Sequence, residues 1–291
     1  RENVARYRGQ HARAWRRVRE AERIARAIGD DRLSGQCHKF AGWILVNRGR
    51  LAEAARSFQR GVEILDGVAG SDAHVASCQN GLAVVAIQAA RLDEARGHLE
   101  SALAIHRRLG SRTHTALTLS SLGDVERMGG NLDDAEQHYR TALESLRAAG
   151  HGQICYCEMN LGLVLVARNR YAPARELYAR ALLALTAQGV EAAVGAVHAM
   201  LLPCAAGMGD WPAFDEHLDE AEPRLAASHM SDVDVAWPAQ CAGDLARAAG
   251  QAERAARSYR LSLAQWELLG RHAEVQTVRQ HLAELSGSSK S

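Results

Sequence analysis

One small residue returns along this chain at a nearly fixed interval, and no other feature of the sequence constrains the fold as much. Ala54, Ala95, Ala135, Ala174 and Ala255 align, with Phe214 in the same place of a weaker copy, and the steps are 41, 40, 39, 40 and 41 residues. Around these markers, residues 40–58, 81–99, 121–139, 160–178 and 241–259 superpose without internal gaps, and residues 200–218 fit more loosely. The stretch around Ala14, Val18 and Ala21 fits the second half of the unit only. So small a drift over five steps means that one supersecondary unit was copied. Such a unit cannot bury its apolar face alone and stacks on its neighbours instead.

The pattern inside a copy reads as two helices. In the third copy, Leu119, Leu122 and Val125 recur at helical spacing on helix A. Gly129, Gly130 and Asn131 then break the helix, and Leu132, Ala135, Tyr139, Ala142, Leu143 and Leu146 line one face of helix B, which Gly150 ends. Gly123 and Ala135 let the two helices approach closely, and Tyr139 fills the space beside them. Composition agrees with packed helices: aromatics are only 5%, prolines number 5, and Ala and Leu dominate.

Gly123 in helix A, then Ala135, Tyr139 and Ala142 in helix B, is similar to the tetratricopeptide repeat pattern, and the resemblance covers about nine-tenths of the chain. It departs from the family in three ways. The period is about 40 instead of 34 residues, the Pro that ends the family's helices is absent, and most copies lack the aromatic near the start of helix A. These departures look like the longer repeats found as tails on bacterial signalling proteins, including Ser/Thr kinases and ATPase-coupled transcription regulators. The resemblance implies an all-α fold, a right-handed α-α superhelix of helix hairpins. The expected organisation is a partial repeat at 1–32, repeats at about 33–72, 73–112, 113–152, 153–192, 193–233 and 234–271, a polar-backed capping helix at 272–285 and a disordered tail at 286–291. Because the chain opens on Arg1 within a unit, a further domain upstream is expected.

The resemblance also implies a ligand face. In the family the concave wall is built from A helices, which here places Gln36, Lys39, Phe40, Trp43 and Asn47 in the first copy's groove. Asn80 and Gln88 follow in the second, Ser120, Asp124 and Arg127 in the third, Tyr156, Met159 and Asn160 in the fourth, and Trp237, Gln240, Asp244 and Arg247 in the last. Amides beside aromatics suit an extended peptide, the amides bonding its backbone and the aromatics packing its side chains. The same positions also suit ordinary helix packing, and Asp124 with Arg127, like Asp244 with Arg247, is an i, i+3 pair that neutralises itself. The family's carboxylate clamp of Lys, Asn and Arg on three A helices is not expected. Lys39 and Asn80 match it, but the third copy offers Leu117 and Ser121 where cations are needed.

Other chemistry finds little footing. Lys39 and Lys290 are the only lysines among 35 basic residues, and no G-x-x-x-x-G-K-[ST] loop or kinase set accompanies them. No G-x-S-x-G elbow or H-E-x-x-H motif exists, so no catalytic, cofactor or metal residue is assigned. Cys155 and Cys157, near His151, point about 200° apart on a helix and do not converge on one ion. Formal net charge is +1; the first 32 residues hold ten Arg against five acids, read as a solvated or interdomain face in preference to a nucleic-acid surface. No apolar run approaches the roughly 18 residues of a membrane helix, and six scattered cysteines in apolar stretches read as cytoplasmic and reduced. Pro203 inside helix A of the irregular fifth copy reads equally as a hinge or as drift.

The functional expectation is therefore a non-catalytic scaffold for a protein or peptide, the C-terminal sensing or docking arm of a larger bacterial regulator. The alternative is a receptor for a short peptide or small-molecule signal inside the coil. An enzyme with an unrecognised site ranks below both.

Overall fold

A computed structural model describes the backbone of residues 2–228 and 231–288, with side chains from 13 to 286 apart from 229 and 230. Among the described residues there are fourteen α-helices and no strand. They fall into two compact units, Arg1–Ala149 and Gly150–Ser291.

Unit 1 holds α1 (Glu2–Ile28), α2 (Asp31–Val46), α3 (Leu51–Leu65), α4 (Asp72–Gln88), α5 (Leu92–Arg108), α6 (Arg112–Met128) and α7 (Leu132–Ala148). Each helix packs on the next, and the A helix α2 also touches the A helix α4. Unit 2 holds α8 (Ile154–Ala167), α9 (Tyr171–Gln188), α10 (Glu191–Gly207), α11 (Trp211–Ser228), α12 (Val233–Ala248), α13 (Ala252–Leu268) and α14 (His272–Ser288). There α8, α10 and α12 are the A helices, α10 touches both of the others, and α14 packs on α13. This is an all-α solenoid of stacked hairpins.

The marker alanines lie in the core. Ala54, Ala95, Ala135, Ala174 and Ala255 are all fully buried, as is Phe214. Four residues further along helix B stands a large buried plug: Phe58, Leu99, Tyr139, Tyr178, Leu218 or Tyr259. Opposite each aromatic plug helix A carries glycine. A Cβ on Gly42, Gly123, Gly162 or Gly243 would fall 2.4–2.8 Å from the nearest ring atom of Phe58, Tyr139, Tyr178 or Tyr259 respectively. Where the plug is Leu99 or Leu218, the facing residue is Ala83 or Leu202. Ring and glycine thus occur together, because the ring occupies the volume that a side chain on helix A would need.

The A–B loops share one backbone device. The residue five before each marker has positive φ: Gly49, Ala90, Gly130, Asn169, Gly209 and Gly250. It ends helix A in the left-handed conformation that releases the chain into helix B, and four of the six copies use the residue that tolerates it without strain.

One detail differs from the sequence reading. Helix α14 continues to Ser288, so residues 286–288 are helical where a tail was expected, and 289–291 lie outside the described residues. In the fifth copy α10 runs unbroken through Pro203, which is buried with nearly the whole helix.

Candidate functional site

The A helices of unit 1 carry the sequence-derived residues of the first three copies. Phe40 is half exposed on α2, at 50%. Its neighbour Lys39 lays Nζ 4.3 Å from the Phe40 ring centroid and 3.3 Å from Nδ1 of His74 at the start of α4. Burial holds the Lys39 ammonium below its ordinary value, and burial followed by the nearby Lys39 charge does the same for His74. The contact therefore joins two successive A helices through one poorly solvated cation. His74 was absent from the sequence-derived set; the signal for it was a histidine at corresponding positions of successive copies, 74 and 114.

Gln36 and Trp43 are half-buried on α2, and Asn47 is its exposed C-cap residue. Trp43 sits edge-on to the core ring of Phe58, centroids 5.2 Å apart, so it belongs partly to the hairpin interior. On α4, Asn80 is half-buried with its amide oxygen covered and unbonded among the described residues, and Gln88 is exposed. Ser120 of α6 is half-buried. Asp124 turns inward and accepts a 2.6 Å hydrogen bond from the Tyr139 hydroxyl. Arg127 also acts on that phenol, whose pKa burial and then the Asp124 carboxylate hold far above its ordinary range.

Unit 2 arranges its share differently. On α8, Tyr156 is exposed at 39%, Met159 is buried and Asn160 is half-buried. On α12, Trp237 packs against the cluster formed by Tyr259, Trp266 and α14, and Gln240 accepts a 3.1 Å bond from Trp266 Nε1. Asp244 takes the Tyr259 hydroxyl at 2.6 Å and lies 3.3 Å from Nδ1 of His281. Arg247 donates to Glu284 at 2.8 Å. Helix α14 thus engages the last A helix through its own polar side chains, and the Asp244–Arg247 pair is spent on that cap.

Five thiols in these helices are held in the protonated form by burial. Burial pushes Cys78, Cys204 and Cys241 up to about 12, and Cys37 and Cys155 are raised for the same first reason. Cys155 and Cys157 are both buried, and among the described residues no group of three or more His, Cys, Asp or Glu converges as a metal site. No helix of the described residues is long and apolar enough to cross a membrane.

Residues 74–148 match the family model of the tetratricopeptide repeat. No curated protein matches the sequence significantly. Among solved structures, the apo form of RapI is 14% identical with a TM-score of 0.68, over 87% of this chain and 90% of that one. A Rap protein complexed with competence and sporulation factor is 16% identical with a TM-score of 0.62, over 96% and 73%. A signal transduction ATPase with numerous domains and a tetratricopeptide repeat sensor, from Pyrococcus horikoshii, is 15% identical with a TM-score of 0.72. That alignment covers 96% of this chain and 43% of the larger protein. Identities this low carry the fold and nothing finer.

Proposed function

We propose that this tetratricopeptide-repeat solenoid is a non-catalytic scaffold that binds a protein or peptide on the A-helix face of unit 1. The observation that carries the reading is an exposed ring beside a poorly solvated cation that reaches the next A helix: Phe40 and Lys39, with His74. An extended peptide supplies what each lacks, a side chain for the ring and a carbonyl for the cation. Gln36, Asn47, Gln88 and Ser120, on the same unit's A helices, add side chains able to hydrogen-bond a peptide backbone. The role in the cell is then that of a sensing or docking arm of a larger bacterial regulator, in which ligand binding biases an attached output domain. Likeness to the repeat sensor of a signal transduction ATPase supports that role.

A second reading, a receptor for a short peptide signal, draws on the likeness to a Rap protein complexed with competence and sporulation factor. The two differ in the size of the ligand and share the surface. Affinity capture on immobilised chain, read by mass spectrometry for both proteins and peptides, separates them. The captured species should drop at least tenfold with Phe40→Ala and with Lys39→Ala. Undiminished capture by both variants would remove the A-helix face of unit 1 from consideration.

A further inference from the structure

Helix α1 is out of scale with the rest. It runs for 27 residues, whereas the other helices of the described residues run for 14–18. From residue 14 onward it occupies the place of a B helix: Ala14, Val18 and Ala21 stand 40 residues before Ala54, Phe58 and Gly61. In the six full copies those three positions are buried without exception. In α1 all three are only half-buried. The helix packs on α2, and the side that sister B helices turn to their own A helix is left uncovered.

The sequence ahead of Ala14 ends as an A helix ends. Residues 4–14, VARYRGQHARA, align with residues 245–255, LARAAGQAERA, and are identical at Ala5, Arg6, Gly9, Gln10, Arg13 and Ala14. Residues 245–255 are the last turn of α12, the loop at Gly250 and the first turn of α13. Gly9 stands five residues before its marker, where each full hairpin turns with positive φ, 73° at Gly250. A glycine inside a straight helix weakens it, whereas a left-handed turn favours glycine over every other residue. In the third copy Gly123 of α6 faces Tyr139 of α7, and the same register sets position 2 opposite Val18.

We propose that the open side of α1 at Ala14 and Val18 is a docking surface for residues 2–8 of the same chain, which fold back at Gly9 as the closing turns of an A helix. The straight α1 and the folded-back form differ chiefly in the backbone at Gly9. Two helical turns are too short to persist alone, so packing on Ala14 and Val18 is what holds them. The repeat sets the segment beside α2, as α2 lies beside α4, and the row of A helices gains a member ahead of α2. This placement does not depend on what the A-helix face binds.

Continuous-wave EPR of the full chain, with spin-labelled amino acids in place of Asn3 and Arg19, tests the fold-back. In a straight helix these positions are about 24 Å apart along the axis, and the spectrum is the sum of the two single-label spectra. Folded back, they lie on packed helices whose axes are about 8–10 Å apart, and dipolar coupling broadens the lines. Gly9→Ala separates the same alternatives by sign. Where Gly9 turns the chain, it should lower the urea midpoint and remove the broadening. In a straight helix it raises the midpoint through helix propensity. An unbroadened spectrum from the chain that keeps Gly9, or a midpoint that rises or stays put with Gly9→Ala, would overturn the proposal.

Discussion

A Cβ placed on Gly123 would stand 2.8 Å from Cε1 of Tyr139, the fully buried ring of the following helix. That separation is shorter than packed carbon atoms tolerate, so α6 and α7 close on one another only because position 123 has no side chain. Gly123→Ala should therefore destabilise the chain by about 1–3 kcal/mol, the usual range for overpacking. In a Tyr139→Leu background the same change should cost far less, since the second copy already combines Ala83 with Leu99. Urea unfolding of the two single variants and the double variant measures the coupling. Additive losses would show that the ring does not dictate the glycine.

Ala90 offers the opposite sign. It holds φ of 55° at the end of helix α4, where four sister hairpins use glycine and one uses Asn169. An alanine in the left-handed region costs on the order of 1 kcal/mol, and nothing but backbone conformation is at issue in this loop. Ala90→Gly should raise the unfolding midpoint, whereas Gly130→Ala, at the corresponding position of the next copy, should lower it. A midpoint for Ala90→Gly at or below that of the unaltered chain would mean that the flexibility gained by the unfolded state outweighs the strain removed.

The hairpins, their period and their contact alanines were legible because each follows from residues close in sequence and repeated in register. Gly123, Ala135 and Tyr139 announce one another within seventeen positions. The polar face was less legible. From spacing alone Asp124, Asp244 and Arg247 look like groove residues; in three dimensions two of them accept tyrosine hydroxyls and the third is bound by Glu284. Helical periodicity says which side of a helix a residue occupies, but not which way a long polar side chain turns from there. That choice depends on partners on other helices, such as Tyr139 of the same hairpin beneath Asp124 and the cap residues His281 and Glu284 over α12.

Phe40 and Trp43 separate binding from stability. Both lie on α2, but Phe40 projects while Trp43 leans on Phe58 and packs with that core cluster. Trp43→Ala should cost roughly 2–4 kcal/mol, nearer the low end for a side chain only partly buried. Phe40→Ala should leave the melting temperature within about 2 °C, corresponding to a surface substitution, and reduce ligand capture. Calorimetry and capture on the same preparations test both. A large loss of stability from Phe40→Ala would place its ring in the fold instead of on the binding surface.

His106 makes the chain sensitive to mild acid. The other copies carry Leu65, Leu146, Leu185, Leu225 and Trp266 at this position, all inside the core. His106 is only 3% exposed, neither ring nitrogen has a hydrogen-bond partner among the described residues, and its ring stacks on His114 with centroids 5.1 Å apart. Burial first, and then the neighbouring His114, hold its pKa below the ordinary value of 6.5. In the unfolded chain the ring takes up a proton near pH 6.5, while in the folded chain it does so only at lower pH. Unfolding therefore binds protons across that interval, and the contribution of His106 to stability is intact above pH 6.5 and declines as pH falls through the folded value. His38, His74, His98, His198 and His217 are depressed by burial in the same direction and add to the slope. His106→Leu, which restores the residue of the sister copies, should raise stability at pH 7 and flatten the decline between pH 7 and pH 5. Denaturant midpoints for both chains at half-unit pH steps give the comparison. Parallel curves would mean that His106 keeps the same affinity for protons folded and unfolded, and that the other five histidines carry the acid sensitivity.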